Sequence, residues 1–272
     1  MHSIAAPQTT DEPSDPGIDS LVDGFDRPIR TLLAVWAHPD DETYLGGGLA
    51  AEVASRGGRV VNVTATLGEH GDPRPTPSPP AELARRRSAE LRRALDRLGV
   101  DGSIVLGYED GSCVRVPEAI ASRRVATIID DIRPDAIVSF GPDGVTGHPD
   151  HCAVSRWARR AVMERGDGIP LLATASGAAW PADLIDRMHE VEAFWPHHPR
   201  RTLDGPVWRL ELSGRRLDQK MAALDAHRSQ VGPLQDALGP SGYRRLAAVE
   251  AYRPANPAAH DLLGVTRQRT AA

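Results

Sequence analysis

A chain of 272 residues, 40% apolar and 25% charged, can bury the core of one α/β domain, with or without an extra lobe. Its formal net charge of −5 comes with acids and bases interspersed, which argues against a nucleic-acid or anionic-membrane surface and leaves small polar substrates open. Cys113 and Cys152 fit no zinc or redox spacing and suggest no structural disulfide. The N-terminus lacks the pattern of a signal peptide, and no apolar run reaches the roughly 18 residues of a membrane span, so a soluble cytoplasmic protein is expected. All but one of its 32 lysines and arginines are arginine, as a GC-rich genome would produce, and Lys220, the exception, invites a specific task.

Residues 1–27, rich in Pro, Asp and Ser, are expected to form a mobile tail. "RTLLAVWAH" then reads as a first strand and "LGGGLAAEVASRGG" as a helix that stops at Gly57 and Gly58. "RVVNVTATLG" is β-branched and reads as a second strand. "PPAELARRRSAELRRALDRLGV" has apolar residues at helical spacing and an arginine-rich wet face. "SIVLG" is a short third strand, "VPEAIASRRVATIIDDIRP" a helix ended by Pro134, "DAIVSFGP" a fourth strand, and a helix opens after Pro149. "IPLLATAS" supplies a fifth strand. Further on, "PADLIDRMHEVEAF" and "RRLDQKMAALDAHRSQ" read as helices and "PVWRLELS" as a strand, while the last twenty or so residues show no period.

Strands alternating with helices, and apolar enough to be covered on both faces, give the α/β class: a Rossmann-like, mostly parallel sheet flanked by helices, with a smaller C-terminal α+β portion. Ligands of such sheets bind beyond the carboxyl ends of the strands. There this chain carries "AHPDDE", "GEHGD", "GYEDG" and "GPDGVTGHPDH", four polar loops on one rim.

Two histidines and one carboxylate make a common catalytic zinc shell, and His38, Asp41, His148 and His151 can supply one. Helix capping accounts for Asp and Glu in "HPDDE" and for Pro149 in "GHPDH", but it calls for no histidine. Gly46, Gly47 and Gly48 lack the order of a phosphate loop and read as close helix packing.

"AHPDDE" with "GHPDH" resembles the PIG-L/LmbE-like family of zinc-dependent N-deacetylases, which includes the N-acetylglucosaminyl-phosphatidylinositol, mycothiol-pathway and bacillithiol-pathway de-N-acetylases. "TLGEHGD", Arg87 and Glu90 in "RRRSAEL", "LGYEDG" and "KMAALDAHRSQ" resemble further motifs of that family, over residues 30–160 and 217–231. His70 is a departure from the pattern. The resemblance implies one deacetylase domain over residues 28–255 and a tail over 256–272.

It further implies Zn²⁺, or another divalent metal such as Fe²⁺, on His38, Asp41 and His151, with Asp40 as general base and His148 near the reacting carbonyl. Asp150 is expected to maintain the charge of a protonated His148 by a hydrogen bond. The implied reaction is removal of an N-acetyl group from an N-acetylglucosamine-type amino sugar or glycoconjugate by a zinc-activated water.

Glu69, Arg87, Asp110 and His227 are the candidate substrate contacts. Against them stand loop-stabilising turns for Glu69 and Asp110, a solvated face or an ion pair with Glu90 for Arg87, and a helix-end histidine for His227. Glu42 either caps the helix or touches the ligand shell from outside. Residues 177–208, with Trp180, Trp195, His197 and His198, are the candidate lid.

Three competing readings remain: a non-catalytic sugar-binding relative, an amidase for another amide such as a mycothiol S-conjugate, and a Rossmann-type nucleotide binder. A small-molecule amino sugar is the expected partner, without nucleic acid or membrane insertion, and a homo-oligomer is left open.

Overall fold

The computed structural model describes residues 28–196, 198 and 207–263. The tail expected over 1–27 and His197 lie outside them. Five parallel strands follow the expected alternation: β1 (Thr31–Trp36), β2 (Arg59–Thr64), β3 (Gly102–Val105), β4 (Ala136–Phe140) and β5 (Leu171–Thr174). Between them run α1 (Asp41–Ser55), α2 (Pro80–Leu98), α3 (Glu118–Ile132) and α4 (Pro149–Arg165). The sheet order is β3-β2-β1-β4-β5, extended by two later strands, β6 (Trp208–Glu211) and β7 (Val249–Pro254), as -β7-β6. β7 lies antiparallel to both β5 and β6. The central strands β1, β2, β4 and β5 are buried almost end to end, because helices cover both faces and a near-continuous apolar run satisfies both.

The chain leaves β1 toward β2 on one side and returns to β4 on the other, so the switch point of the sheet falls between β1 and β4. The loops after these two strands diverge there and open a crevice. "HPDDE" follows β1 and "GPDGVTGHPDH" follows β4, which places both motifs at that crevice.

The C-terminal portion holds α5 (Ser176–Ala179), α6 (Ala182–Glu190), α7 (Gly214–Leu224), α8 (Gly232–Ala247) and α9 (Pro257–Leu262). α8 and β7 are additions to the sequence reading, and α9 lies within the stretch expected to be a tail. α8 bends at Gly239 (φ 66°, ψ 166°) beside Pro240, which hides its helical period. His227 lies beyond the end of α7, in the turns that lead to α8.

Lys220 and Glu250 are both fully buried, and Lys220 Nζ donates to Glu250 Oε1 at 2.6 Å and to the carbonyl of Tyr44 at 2.9 Å. Glu250 also accepts the backbone N–H groups of Gly48 (2.6 Å) and Leu49 (3.0 Å), while the Tyr252 hydroxyl donates to the Leu45 carbonyl (3.2 Å) and to Glu250 Oε2 (2.6 Å). Residues 48→44 and 49→45 are successive i→i−4 pairs of α1. Side chains of β7 and α7 thus supply extra partners to both ends of two rungs in one helical turn.

The glycines at 46–48 allow that approach, as the packing reading expects. A Cβ at Gly48 would stand 2.6 Å from Leu212 Cδ1 and 3.1 Å from the Glu250 carboxyl carbon. Leu212 is buried and Glu250 is held by its hydrogen bonds, so neither can yield freely. Gly48→Ala is expected to destabilise the protein by about 1–3 kcal/mol, read as a lower urea midpoint at unchanged slope. An unchanged midpoint would show that the contact relaxes without cost.

Candidate metal centre

The β1–α1 loop supplies His38, Asp40 and Asp41, and the start of α4 supplies His148, Asp150 and His151. His38 Nδ1 lies 3.1 Å from His151 Nε2. The Asp41 carboxylate closes the triangle, with Oδ2 at 3.6 Å from His38 Nδ1 and Oδ1 at 3.3 Å from His151 Nε2. Ligands at about 2.0–2.1 Å in a tetrahedron are about 3.3 Å apart, so these three groups fit one face of a metal's coordination shell.

The outer ring nitrogens support the same assignment. His151 Nδ1 lies 2.9 Å from the Gly144 carbonyl, and His38 Nε2 lies 3.1 Å from Asp110 Oδ1 and 3.4 Å from Asp150 Oδ2. A ring N–H directed at these oxygens leaves the lone pairs of His38 Nδ1 and His151 Nε2 facing each other across 3.1 Å. Two facing lone pairs repel, so the pair needs a cation between them or a proton on one ring. Without a metal the proton goes to His38: burial opposes its charge, but Asp110, Asp150 and Asp41 outweigh burial and raise its pKa to about 10. Burial and the charge of His38 then push His151 down to about 3. Gly144, at φ 66°, is required in this arrangement because a Cβ there would lie 2.9 Å from His151 Cβ.

Asp40 lies at the rim of the cluster with φ 117° and ψ −30°, a backbone conformation rare outside glycine. Its N–H is held by Glu42 Oε2 at 2.9 Å, and its carboxylate stands 3.4 Å from Arg87 Nη2. Burial raises the Asp40 carboxyl to about 6, opposed by Arg87 and assisted by Asp41. Glu42 Oε1 in turn meets His227 Nε2 at 2.9 Å, with Thr43 Oγ1 beside both. Glu42 therefore caps the start of α1 and braces the Asp40 loop from behind.

Several expected roles change. His227 is fully buried, does not line the cavity, and pairs with Glu42. Arg87 lines the cavity, but its guanidinium donates to the carbonyls of Pro39 (2.6 Å) and Gly68 (3.0 Å), joining the loops after β1 and β2 behind Asp40. Its anticipated partner Glu90 instead holds Ser229 through both carboxylate oxygens.

Glu69 is outside the lining of the cavity that holds His38 and His148, and its Oε1 accepts the Asp110 N–H at 3.0 Å, the loop-stabilising alternative. Asp110 does line the cavity. Burial works to raise its carboxyl, but the hydrogen bond and charge of His38 and the His70 N–H hold it below the usual carboxylate range. His70 itself is exposed.

Asp150 does not serve His148 as anticipated. Its carboxylate accepts the N–H groups of Gly111 (2.8 Å) and Cys113 (3.0 Å) and reaches His38, while its backbone N–H donates to His148 Nδ1 at 3.1 Å. Because Nδ1 accepts that N–H, the ring as placed is neutral, with Nε2–H available, and not the expected imidazolium; burial and the neighbouring His38 act in the same direction and lower the His148 pKa to about 3.

His38, Asp40, Asp41, Arg87, Asp110, His148 and His151 line one cavity of about 320 Å³. Trp180 and Trp195 from the expected lid segment line it too, and Trp195 sits edge-on to His148 with ring centres 4.8 Å apart. His198 stacks on Phe194 and packs against Gly147. Tyr44, Thr146, Glu192 and Gln230 are lining residues that the sequence reading did not single out. No helix among the described residues is long and apolar enough to cross a membrane.

Fold and cluster together define an α/β protein with a histidine–carboxylate centre, fit for one metal ion, at the switch point of its sheet. The family model for PIG-L, GlcNAc-PI de-N-acetylase, matches residues 33–162. A 1D-myo-inositol 2-acetamido-2-deoxy-alpha-D-glucopyranoside deacetylase from Mycobacterium sp. (strain KMS) is 37% identical over 76% of this chain and 78% of its own. An enzyme of the same name from Kineococcus radiotolerans is 30% identical over 84% and 76%. Among solved structures, the N,N'-diacetylchitobiose deacetylase from Pyrococcus horikoshii superposes with a TM-score of 0.62 at 17% identity, over 89% of this chain and 90% of that one, and shares the fold. The chain belongs to the PIG-L family of de-N-acetylases.

Proposed function

We propose that this protein is a zinc-dependent N-deacetylase that hydrolyses the acetamide of a 2-acetamido-2-deoxy sugar or its glycoconjugate. The pair of imidazole nitrogens facing each other across 3.1 Å, with Asp41 closing the triangle, is the observation that carries the reading. His38, Asp41 and His151 would hold the ion, and Asp110, Asp150 and the Gly144 carbonyl would fix the two rings. A zinc ion bound there supplies Lewis acidity that acidifies water and polarises the amide carbonyl.

The remaining steps fall to the chain's own groups. Asp40 takes the proton of the attacking water as the carbon–oxygen bond forms, and Arg87 keeps its carboxylate aimed at the cavity. His148, with Nδ1 occupied by the Asp150 N–H, presents Nε2–H to the developing oxyanion. Collapse breaks the carbon–nitrogen bond, Asp40 returns its proton to the departing amine, and acetate and the free amino sugar remain. The unpaired thiols of Cys113 and Cys152 fit the reducing cytoplasm as its compartment.

Metal analysis tests this directly. The purified protein, loaded with zinc and desalted, is expected to keep about one equivalent and to release primary amine from N-acetylglucosaminides. His151→Ala, treated identically, should keep far less of both metal and activity. Equal zinc in the two proteins would place the ion elsewhere and end this assignment.

A further inference from the structure

We propose that the N-acetylated sugar taken by this site carries an apolar aglycone rather than a polyol. The inference rests on the deacetylase reading above and concerns the part of the substrate beyond the reacting sugar. The loops after β1 to β4 give the cavity its polar wall, including His38, Asp40, Asp110 and His148. The opposite elements give an apolar one: Leu45 of α1, Met188 of α6, Leu234 and Leu246 of α8, with Trp180 and Trp195 from the connecting segments. α6 and α8 hold each other through Arg187, which donates to the Leu238 carbonyl at 2.9 Å, so this wall is part of the packed fold.

Trp195 is the most informative member. Its backbone N–H is tied to the Thr146 carbonyl at 2.9 Å and its ring meets His148, yet it remains 46% exposed. An indole held beside the reacting groups with much of its surface uncovered offers a stacking face to whatever enters.

Among the described residues, a polyol would meet few partners on this side. The Tyr44 hydroxyl is engaged with Tyr243 at 2.9 Å, and the Gln230 amide donates to Ser229 at 3.1 Å. Glu192 is the charged group that the described residues bring to this side, Arg87 being turned to the carbonyls behind Asp40. Each hydroxyl desolvated there without a partner weakens binding, whereas an alkyl or aromatic group gains from burial against leucine, methionine and tryptophan. The Mycobacterium and Kineococcus relatives are named for a myo-inositol glycoside, so this expectation differs from transfer of their substrate.

The test is a series of α-glycosides of N-acetylglucosamine given to the zinc-loaded 272-residue chain: myo-inositol, methyl, n-hexyl and phenyl. The expected result is a kcat/KM at least tenfold higher for hexyl and phenyl than for methyl and inositol, carried mainly by KM. Leu234→Asn should narrow the hexyl-to-methyl ratio. Inositol turnover equal to or better than hexyl would overturn this inference and leave the deacetylase reading standing. Failure to deacetylate any of the four would overturn that reading and this inference with it.

Discussion

Asp40→Asn is expected to bind zinc and melt as the parent does while deacetylating on the order of 10²–10⁴ times more slowly, the usual contribution of a positioned general base. The amide is close in size, can still meet Arg87, and leaves His38, Asp41 and His151 untouched. Steady-state kinetics beside metal analysis would separate the two roles, and a variant within about threefold of the parent would remove Asp40 from the chemistry. Asp40→Gly makes a second comparison. It is expected to be equally inactive but more stable by about 1 kcal/mol, because glycine adopts φ 117° without the strain that aspartate bears there. An unusual backbone angle at a non-glycine residue, braced by Glu42 and Arg87, is the kind of strain that persists where a side chain must be aimed.

The other large effect concerns stability. Lys220→Met is expected to cost about 3–5 kcal/mol, since it leaves the Glu250 carboxylate fully buried without its cation. The remaining donors to Glu250, the N–H groups of Gly48 and Leu49 and the Tyr252 hydroxyl, stabilise the charge but do not neutralise it. Adding Glu250→Gln should recover part of the loss, because a neutral amide no longer requires a counter-charge. Urea unfolding of the two variants provides the comparison. A loss below about 1 kcal/mol for Lys220→Met would show that the buried Lys220–Glu250 pair contributes little to stability.

The pair also explains what the sequence concealed. β1, β2, β4 and β5 are legible because strands covered on both faces are written in apolar and β-branched residues. β7 is not, because "VEAYRP" carries at its second position a glutamate whose partner lies thirty residues earlier on α7. α8 was hidden by Gly239 and Pro240. Lys220 stood out as the single lysine, but only the fold shows that its task is to hold α1, α7 and β7 together.

Within the site, the residues that gather at the cavity were legible as histidines and carboxylates placed after strands, where no packing demand calls for them. The supporting contacts were not. Gly144 acts through its carbonyl, Arg87 through carbonyls of Pro39 and Gly68, and His148 through the Asp150 backbone. A backbone atom has no letter of its own in a sequence. Asp150 was assigned to the adjacent histidine by proximity in the chain, whereas the start of α4 turns its carboxylate toward residues 111–113 and His38.

The switch point of the sheet has a consequence for folding as well as for catalysis. His38 and Asp41 leave β1 on one branch of the winding and His151 arrives from β4 on the other, 113 residues after His38. An ion held by both is a non-covalent cross-link between segments that the unfolded chain keeps far apart. By mass action it adds to the unfolding free energy about 2.7 kcal/mol when free metal is at a hundred times its dissociation constant. If the site holds its ion as proposed, metal supply would set the stability of the fold as well as its activity, and a chelator would lower the unfolding midpoint before any residue is changed.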